Sequence, residues 1–172
     1  MKRVLILFLL PLLLSACGNP AAPAETVTDV VLVEDLTASA PCRITLAIPD
    51  GAQLQPEEGA GMSRYLAEDG DFCIDTGSFL AYSPDSAIRQ LTGFDRDELD
   101  IITTRRFGLP EYRMVWCQTE NGCCRVSRAS LVEDGQRYYA VVFSAPESSV
   151  AGYSGLMREV FASFGLCAAE AV

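Results

Sequence analysis

The chain has 172 residues, a formal net charge of −10, seven cysteines and no histidine. Hydrophobic residues make up 49% of it, which suffices for one domain with a substantial core. The acidic balance argues against nucleic-acid binding, and the lack of histidine removes the usual general base, the Ser-His and Cys-His nucleophile pairs and the commonest zinc ligand.

The N-terminus has the layout of a secretory signal peptide. A positive segment, Met1–Arg3, precedes the apolar run Val4–Leu14, and small residues follow. Leu14–Cys17, "LSAC", resembles the bacterial lipobox, whose cysteine is acylated and becomes the mature N-terminus. The resemblance implies that residues 1–16 are a cleaved signal peptide. It also implies that Cys17 is a lipid anchor holding the protein to a membrane of the cell envelope, on the extracytoplasmic side. An ordinary signal with a chance cysteine is the alternative.

Cleavage makes the remaining chain more acidic. Loss of Lys2 and Arg3 reduces the 13 basic residues to 11, all of them arginine, against 23 acidic residues, so the mature charge is −12. We expect a solvated acidic surface with no general attraction to anionic lipid. No second apolar segment is long enough to span a membrane.

A tether is predicted between the anchor and the folded region. Residues 17–40 form the lipidated N-terminus and this tether, which begins with the Ala- and Pro-rich segment Gly18–Glu25. A possible edge strand covers residues 27–33, and the alternative is more linker. Residues 41–172 are predicted to form a single α+β domain.

The first part of this domain reads as strands. Residues 42–48 alternate in polarity and stop at Pro-Asp-Gly, which predicts a half-buried strand and a turn. Glycines around residues 56–71 argue against a stable element, although 62–66 could pair as a short strand. Residues 72–82 form another candidate strand, loosened by Gly77.

Two helices are predicted next. Ser83 as N-cap, Pro84 at the first position and Gly93 as the stop define a helix between them. Asp95 and Glu98 have capping-box spacing, which indicates a second short helix.

The second half of the chain predicts a meander and a helix. Four strands separated by short turns at 108–110, 120–122 and 133–135 should pair as antiparallel neighbours. The last element is a helix over about 148–164, with an apolar stripe that should cover a sheet. The predicted strands are residues 100–107, 112–119, 124–132 and 137–144.

Together these elements predict an α+β sandwich, with an antiparallel meander packed against a C-terminal helix and a shorter internal helix. "CRITLAIPDG", "DGQRYYAVVFSAP" and "VFASFGL", in that order, resemble the PsbP/DcrB-like fold. The resemblance implies a non-catalytic extracytoplasmic module, frequently lipid-anchored, that binds or supports another component. It offers no catalytic residues to carry over.

Six cysteines beyond the anchor point to disulfides, because an exported chain meets an oxidising environment. Free thiols, and metal or redox chemistry, are the alternatives. With residues 119–122 as a four-residue hairpin loop, Cys117 faces Cys124 and a bond between them is favoured. A one-residue slip would offer Cys123 instead. The disulfide candidates are Cys42, Cys73, Cys117, Cys123, Cys124 and Cys167.

Two acidic clusters are candidate calcium-binding sites. They are Glu68–Asp71 with Asp75, and Asp95–Glu98 with Asp100. Neither matches the spaced EF-hand pattern, so turn and capping roles are favoured. We expect no metal and no cofactor.

The sequence therefore favours a lipid-anchored binding or assembly module without a catalytic site, whose partner is an envelope protein or a small ligand. The alternative is an envelope hydrolase that depends on acidic residues alone. Two carboxylates facing each other across a deep pocket would favour the hydrolase. A shallow apolar or arginine-lined surface would favour the module.

Overall fold

The computed structural model describes residues 42–55, 61–120 and 122–167. The predicted signal peptide, the Cys17 anchor, the tether and its possible edge strand lie outside these residues. Within them, no helix is long and apolar enough to cross a membrane.

Nine strands and two α-helices make up the described fold. Seven strands form one antiparallel sheet in the order β2-β3-β4-β8-β7-β6-β5, and β1 pairs with β9 in a separate two-stranded sheet. The elements are β1 Arg43–Thr45, β2 Ala52–Leu54, β3 Met62–Ala67, β4 Cys73–Phe79, α1 Pro84–Thr92, β5 Ile101–Arg106, β6 Leu109–Glu120, β7 Cys123–Glu133, β8 Tyr138–Pro146, α2 Ser154–Ser163 and β9 Gly165–Cys167.

The large sheet carries a buried cluster on each face. On one face, Phe143 and Ile74 pack with Met157, Val160 and Phe164 from α2 and the residue after it. On the other, Trp116 and other β6–β8 side chains pack against α1. The predicted α+β architecture, with an antiparallel sheet, a C-terminal helix and a shorter internal helix, is confirmed.

The internal helix forms for the predicted reasons. The Ser83 side chain accepts a hydrogen bond from the Ser86 backbone N–H, and the Ser86 side chain accepts one from the Ser83 backbone N–H. Gly93 ends the helix at φ 81°, a left-handed conformation that glycine adopts without a Cβ penalty. The short helix after Asp95 is a 3₁₀ turn, Arg96–Glu98.

Several predicted boundaries are wrong. The first strand is shorter than 42–48 and pairs with β9, not with the large sheet. The short strand considered at 62–66 does form, as β3, and is one residue longer because it pairs with β4. The last helix begins later than predicted, since residues Val150–Tyr153 form a 3₁₀ turn before α2. β2 and β9, with three residues each, are too short for a periodic signal.

The meander β5–β8 is confirmed, but its first turn differs from the prediction. Phe107 and Gly108 form a two-residue connection with φ values of 54° and 80°. Positive φ at both positions is typical of the hairpin turn that matches strand twist. β6 consequently begins at Leu109, so Pro110 lies inside the strand and pairs with Arg105.

Candidate ligand-binding groove

A groove of about 700 Å³ runs between α2 and the adjacent face of β5, β6 and β7. Four arginines line it, together with apolar side chains and one carboxylate; we call it the arginine groove. Its lining residues are Asp100, Ile102, Arg106, Arg113, Met114, Val115, Arg128, Ala129, Ser130, Arg158, Phe161 and Ala162.

Strand register places the sheet side of the groove. Ile102 of β5 pairs with Arg113 of β6, and Val115 of β6 pairs with Arg128 of β7. Paired residues of antiparallel strands point to the same face, and so do residues two apart along a strand. The two arginines and the two apolar side chains therefore lie side by side on one surface.

Helix α2 supplies the opposite wall. Arg158, Phe161 and Ala162 have i, i+3 and i+4 spacing, which brings them to one side of the helix. Val160 and Met157 point instead into the core and fix the position of the helix on the sheet.

A buried carboxylate, Glu111, holds two of the groove's arginines, Arg106 and Arg113, which we call the inner arginines. The Glu111 side chain is fully buried, and its Oε1 accepts hydrogen bonds from Arg106 Nε at 2.8 Å and Ser130 Oγ at 2.7 Å. Arg113 Nη2 lies 3.0 Å from Oε2, as an ion pair without hydrogen-bond alignment. Arg106 also donates to the Phe164 carbonyl at 3.0 Å. Glu111 therefore fixes two guanidinium groups at the base of the groove.

The Glu111 carboxyl stays ionised because of these contacts. Burial works to raise its pKa, but the interactions with Ser130, Arg113 and Arg106 outweigh burial and hold the pKa below its ordinary value. A depressed pKa means that this carboxylate stabilises the fold above its unfolded-state pKa. That contribution is lost as the pH falls through the folded-state pKa.

The other two arginines of the groove, Arg128 and Arg158, which we call the outer arginines, do not contact Glu111. Arg128 and Arg158 are exposed, and no ion pair joins either one to a carboxylate in the part of the chain that the structure describes. Asp100 is the one carboxylate among the described lining residues. Local charge is therefore positive in a chain whose net charge is −10.

Apolar side chains are exposed beside these charges. Ile102 is 68% exposed and Val115 is 47% exposed, and Phe161 is partly buried on the helix side. Such neighbouring exposed apolar groups mark binding surfaces more often than isolated ones do. The groove thus offers both cationic and apolar contacts.

No sequence pattern identifies the residues of the groove, although an arginine-lined surface is what the sequence predicts for a binding module. Arg106, Arg113, Arg128 and Arg158 come from four different elements. Alternation along β6 places Arg113 and Val115 on one face, which the sequence does indicate. Their meeting with Arg128 depends on register, and their meeting with Arg158 depends on helix packing.

The hairpin cysteines are joined as predicted, but their register differs. The structure contains a Cys117–Cys124 disulfide with Cα atoms 6.4 Å apart. Cys124 pairs with Thr119 and Cys117 with Val126, so the bond is diagonal and the predicted four-residue loop is wrong. The true register is displaced by two residues, which keeps both cysteines on one face. Cys123 points to the other face and is an exposed free thiol.

The other described cysteines are also free thiols. Cys73 is buried, and desolvation together with the Asp75 charge raises its pKa. Cys42 lies next to the strand position that pairs with Cys167, so these two side chains point to opposite faces.

The acidic clusters have turn and capping contacts. Asp69 accepts from the Asp71 backbone N–H, and Glu98 accepts from the Asp95 backbone N–H. Asp75 pairs with Arg64 and Asp95 with Arg89. Across residues 42–55, 61–120 and 122–167, no group of three or more histidine, cysteine or acidic side chains is arranged to hold a metal ion.

Disulfide mapping provides a direct test of the hairpin. Non-reducing peptide mapping should recover Cys117 linked to Cys124 and Cys123 unlinked. Replacing both bonded cysteines by serine should reduce the unfolding free energy by about 2 kcal/mol, since the closed loop is short. Cys123→Ser, the matched control, should leave stability unchanged. Recovery of Cys117 linked to Cys42, Cys73 or Cys167 would contradict the register.

The architecture is a PsbP-type α+β fold. No protein-family model matches the sequence, and no curated protein matches it. Among solved structures, cyanobacterial PsbP from Synechocystis is similar with a TM-score of 0.53 and 12% identity, over 74% of this chain and 93% of that one.

Two further solved structures are similar at a lower level. LpqN of Mycobacterium tuberculosis has a TM-score of 0.49 and 14% identity, over 76% of this chain and 86% of that one. A Bacteroides thetaiotaomicron protein has a TM-score of 0.49 and 16% identity over 72% of this chain, which spans only 44% of that protein's length. The similarity to PsbP supports the fold predicted from the sequence, and function rests on the groove.

Proposed function

We propose that this protein is a lipid-anchored, extracytoplasmic binding module without catalytic activity, and that the arginine groove is its ligand site. One observation carries the proposal. In an acidic chain, four guanidinium groups line a groove of about 700 Å³, a size typical of small-molecule sites.

The charge distribution favours an anionic ligand. Glu111 neutralises much of the charge of Arg106 and Arg113, whereas Arg128 and Arg158 have no ion-pair partner among the described residues. Planar guanidinium groups match carboxylate and phosphate oxygens in pairs. A ligand carrying either group would supply the missing counter-charge.

The competing function, an acid-dependent hydrolase, has less support. Such chemistry needs two carboxylates on either side of the scissile bond. Asp100 is the single described carboxylate lining the groove, and Glu111 is buried and committed to two arginines and a serine. Neither arrangement favours proton transfer to a substrate.

The anchored topology rests on the sequence pattern. Residues 1–16 would be removed, Cys17 acylated, and residues 17–40 would tether the single domain formed by 41–172 to the membrane. The tethered domain could then reach its partner, an envelope protein or a small ligand at the membrane. The domain boundaries follow from the same pattern.

Replacing the acylated cysteine tests the anchor. Cys17→Ser should abolish lipidation and leave an unprocessed or mislocalised precursor, followed by membrane fractionation and intact mass. Cys123→Ser is the control, because that thiol is free and exposed and should not affect lipidation. A Cys17→Ser protein that still fractionates with membranes as a mature species of unchanged mass would contradict the anchor.

Calorimetric titration tests the ligand site. We expect the full chain, held in phosphatidylcholine nanodiscs, to bind pyrophosphate with one saturable site that weakens as salt rises, because the attraction is between charges. Glucose, a neutral polar molecule, should not bind. Absence of saturable pyrophosphate binding, or binding that is indifferent to salt, would contradict an anion site.

A further inference from the structure

We infer that the natural ligand of the arginine groove is a single-chain anionic amphiphile, with its phosphate or carboxylate on the outer arginines and its alkyl chain on the sheet. This inference rests on the proposed function and adds the ligand class. It is drawn from the apolar half of the groove, which a purely ionic ligand would leave in water.

The position of the charged group follows from the free arginines. Arg128 on β7 and Arg158 on α2 face the groove from its two walls, and neither has an ion pair within the described residues. An anion between these walls would contact both guanidinium groups. Arg113, half-exposed and held by Glu111, is a third donor on the same face.

The position of the ligand's alkyl chain follows from the side chains around Val115. On the same face of the hairpin, Val126 and the Cys117–Cys124 disulfide continue the apolar surface toward the turn. From the Val115–Arg128 pair to the Thr119–Cys124 pair is four residues, roughly 13 Å at about 3.3 Å per residue. We call Val115, Val126 and this disulfide the apolar strip.

The strip is exposed enough to receive a ligand. Val115 is 47% exposed, Cys117 is exposed, and Val126 and Cys124 are partly buried. Ile102, 68% exposed, extends the apolar surface on the β5 side of Val115. A chain lying here removes its own methylenes and these side chains from water together, which is the source of hydrophobic affinity.

An alkyl phosphate series tests the inference. The full chain in phosphatidylcholine nanodiscs is titrated with ethyl, butyl, hexyl and octyl phosphate, with empty nanodiscs as the reference for partitioning. Full burial of a methylene strengthens binding about fourfold, and an open groove shields about half of it, so we expect about twofold per methylene. Octyl phosphate should then bind roughly 60-fold more tightly than ethyl phosphate.

Two comparisons separate the inference from the proposed function. Val126→Ser, on the apolar strip but not among the residues that line the groove, should flatten the dependence on chain length and leave pyrophosphate binding unchanged. Leu54→Ser, an exposed apolar control at the other sheet edge, should change neither. Octyl glucoside, which has the chain without the charge, should bind at least tenfold more weakly than octyl phosphate, since a charge-assisted contact contributes about that factor or more.

The possible outcomes differ for the two claims. Equal affinity for ethyl and octyl phosphate, with pyrophosphate still bound, would contradict the amphiphile as the ligand but not the anion site. An acidic segment of a protein would then be the better candidate ligand. Octyl glucoside binding as tightly as octyl phosphate would overturn the role of the charge. Failure of pyrophosphate and every alkyl phosphate to bind would overturn both claims.

Discussion

Glu111→Gln is expected to lower the unfolding free energy by about 3 kcal/mol, because removing one member of a buried ion pair leaves its partner uncompensated. Glutamine keeps the shape of the side chain and removes its charge. The Arg106 side chain, 15% exposed, would then keep its hydrogen bond to the Phe164 carbonyl but lose its counter-charge. Urea unfolding followed by circular dichroism measures the change.

The matched control is Glu147→Gln, since Glu147 is exposed and its replacement by glutamine removes the same charge. It should change stability by less than about 0.5 kcal/mol. Because the folded-state pKa of Glu111 is depressed, the gap between wild type and Glu111→Gln should close as the pH falls below the ordinary range of a glutamate pKa. A gap that persists unchanged at low pH, or two variants of equal stability, would contradict the assigned role of Glu111.

Replacing Arg128 and Arg158 together by glutamine should weaken pyrophosphate binding by roughly 100-fold or more. Each hydrogen bond to a charged group contributes about 1.5–3 kcal/mol, and both arginines face the ligand position. Stability should hardly change, because both side chains are exposed and neither has an ion pair in the described residues. Calorimetry gives the affinity, and urea unfolding checks the fold.

The control for this pair is Arg89→Gln with Arg96→Gln. These arginines lie on and just after α1, across the sheet from the groove, and their loss changes the net charge by the same amount. Their exposed ion pairs with Asp95 and Asp85 contribute little to stability. If the control pair weakens binding as much as the groove pair, the attraction is to the whole molecule and the site assignment is wrong.

Local signals were sufficient for much of the fold. The Ser83 cap, Pro84 and Gly93 define α1 completely, and short turns between alternating segments predict the meander β5–β8. Elements whose existence depends on a distant partner were missed or misplaced. β1 pairs with β9 across more than 100 residues of sequence, and β2 exists because β3 pairs with it.

The disulfide illustrates the limits of local reasoning. The correct pair, Cys117 with Cys124, was predicted from an incorrect register, because a displacement of two residues preserves the face of every side chain. The same displacement changes which residue lies opposite Arg128. A binding surface that depends on cross-strand neighbours therefore requires the structure.

The groove could not be predicted from the sequence for a further reason. Overall charge is an average, and a net charge of −10 indicates an acidic surface. The fold nevertheless gathers four of the chain's arginines, from β5, β6, β7 and α2, along one groove. Only the packing of α2 on the sheet reveals this local reversal of charge.

The ligand site is tested most directly by the nuclear magnetic resonance spectrum of the isotope-labelled full chain in phosphatidylcholine nanodiscs, titrated with octyl phosphate. We predict saturable shifts in the Nε–Hε signals of Arg128 and Arg158 and in the Val115 methyl groups, with the Trp116 indole signal on the opposite face unchanged. Shifts confined to residues around α1, or an absence of saturable shifts at both arginines, would contradict the assignment of the arginine groove as the ligand site.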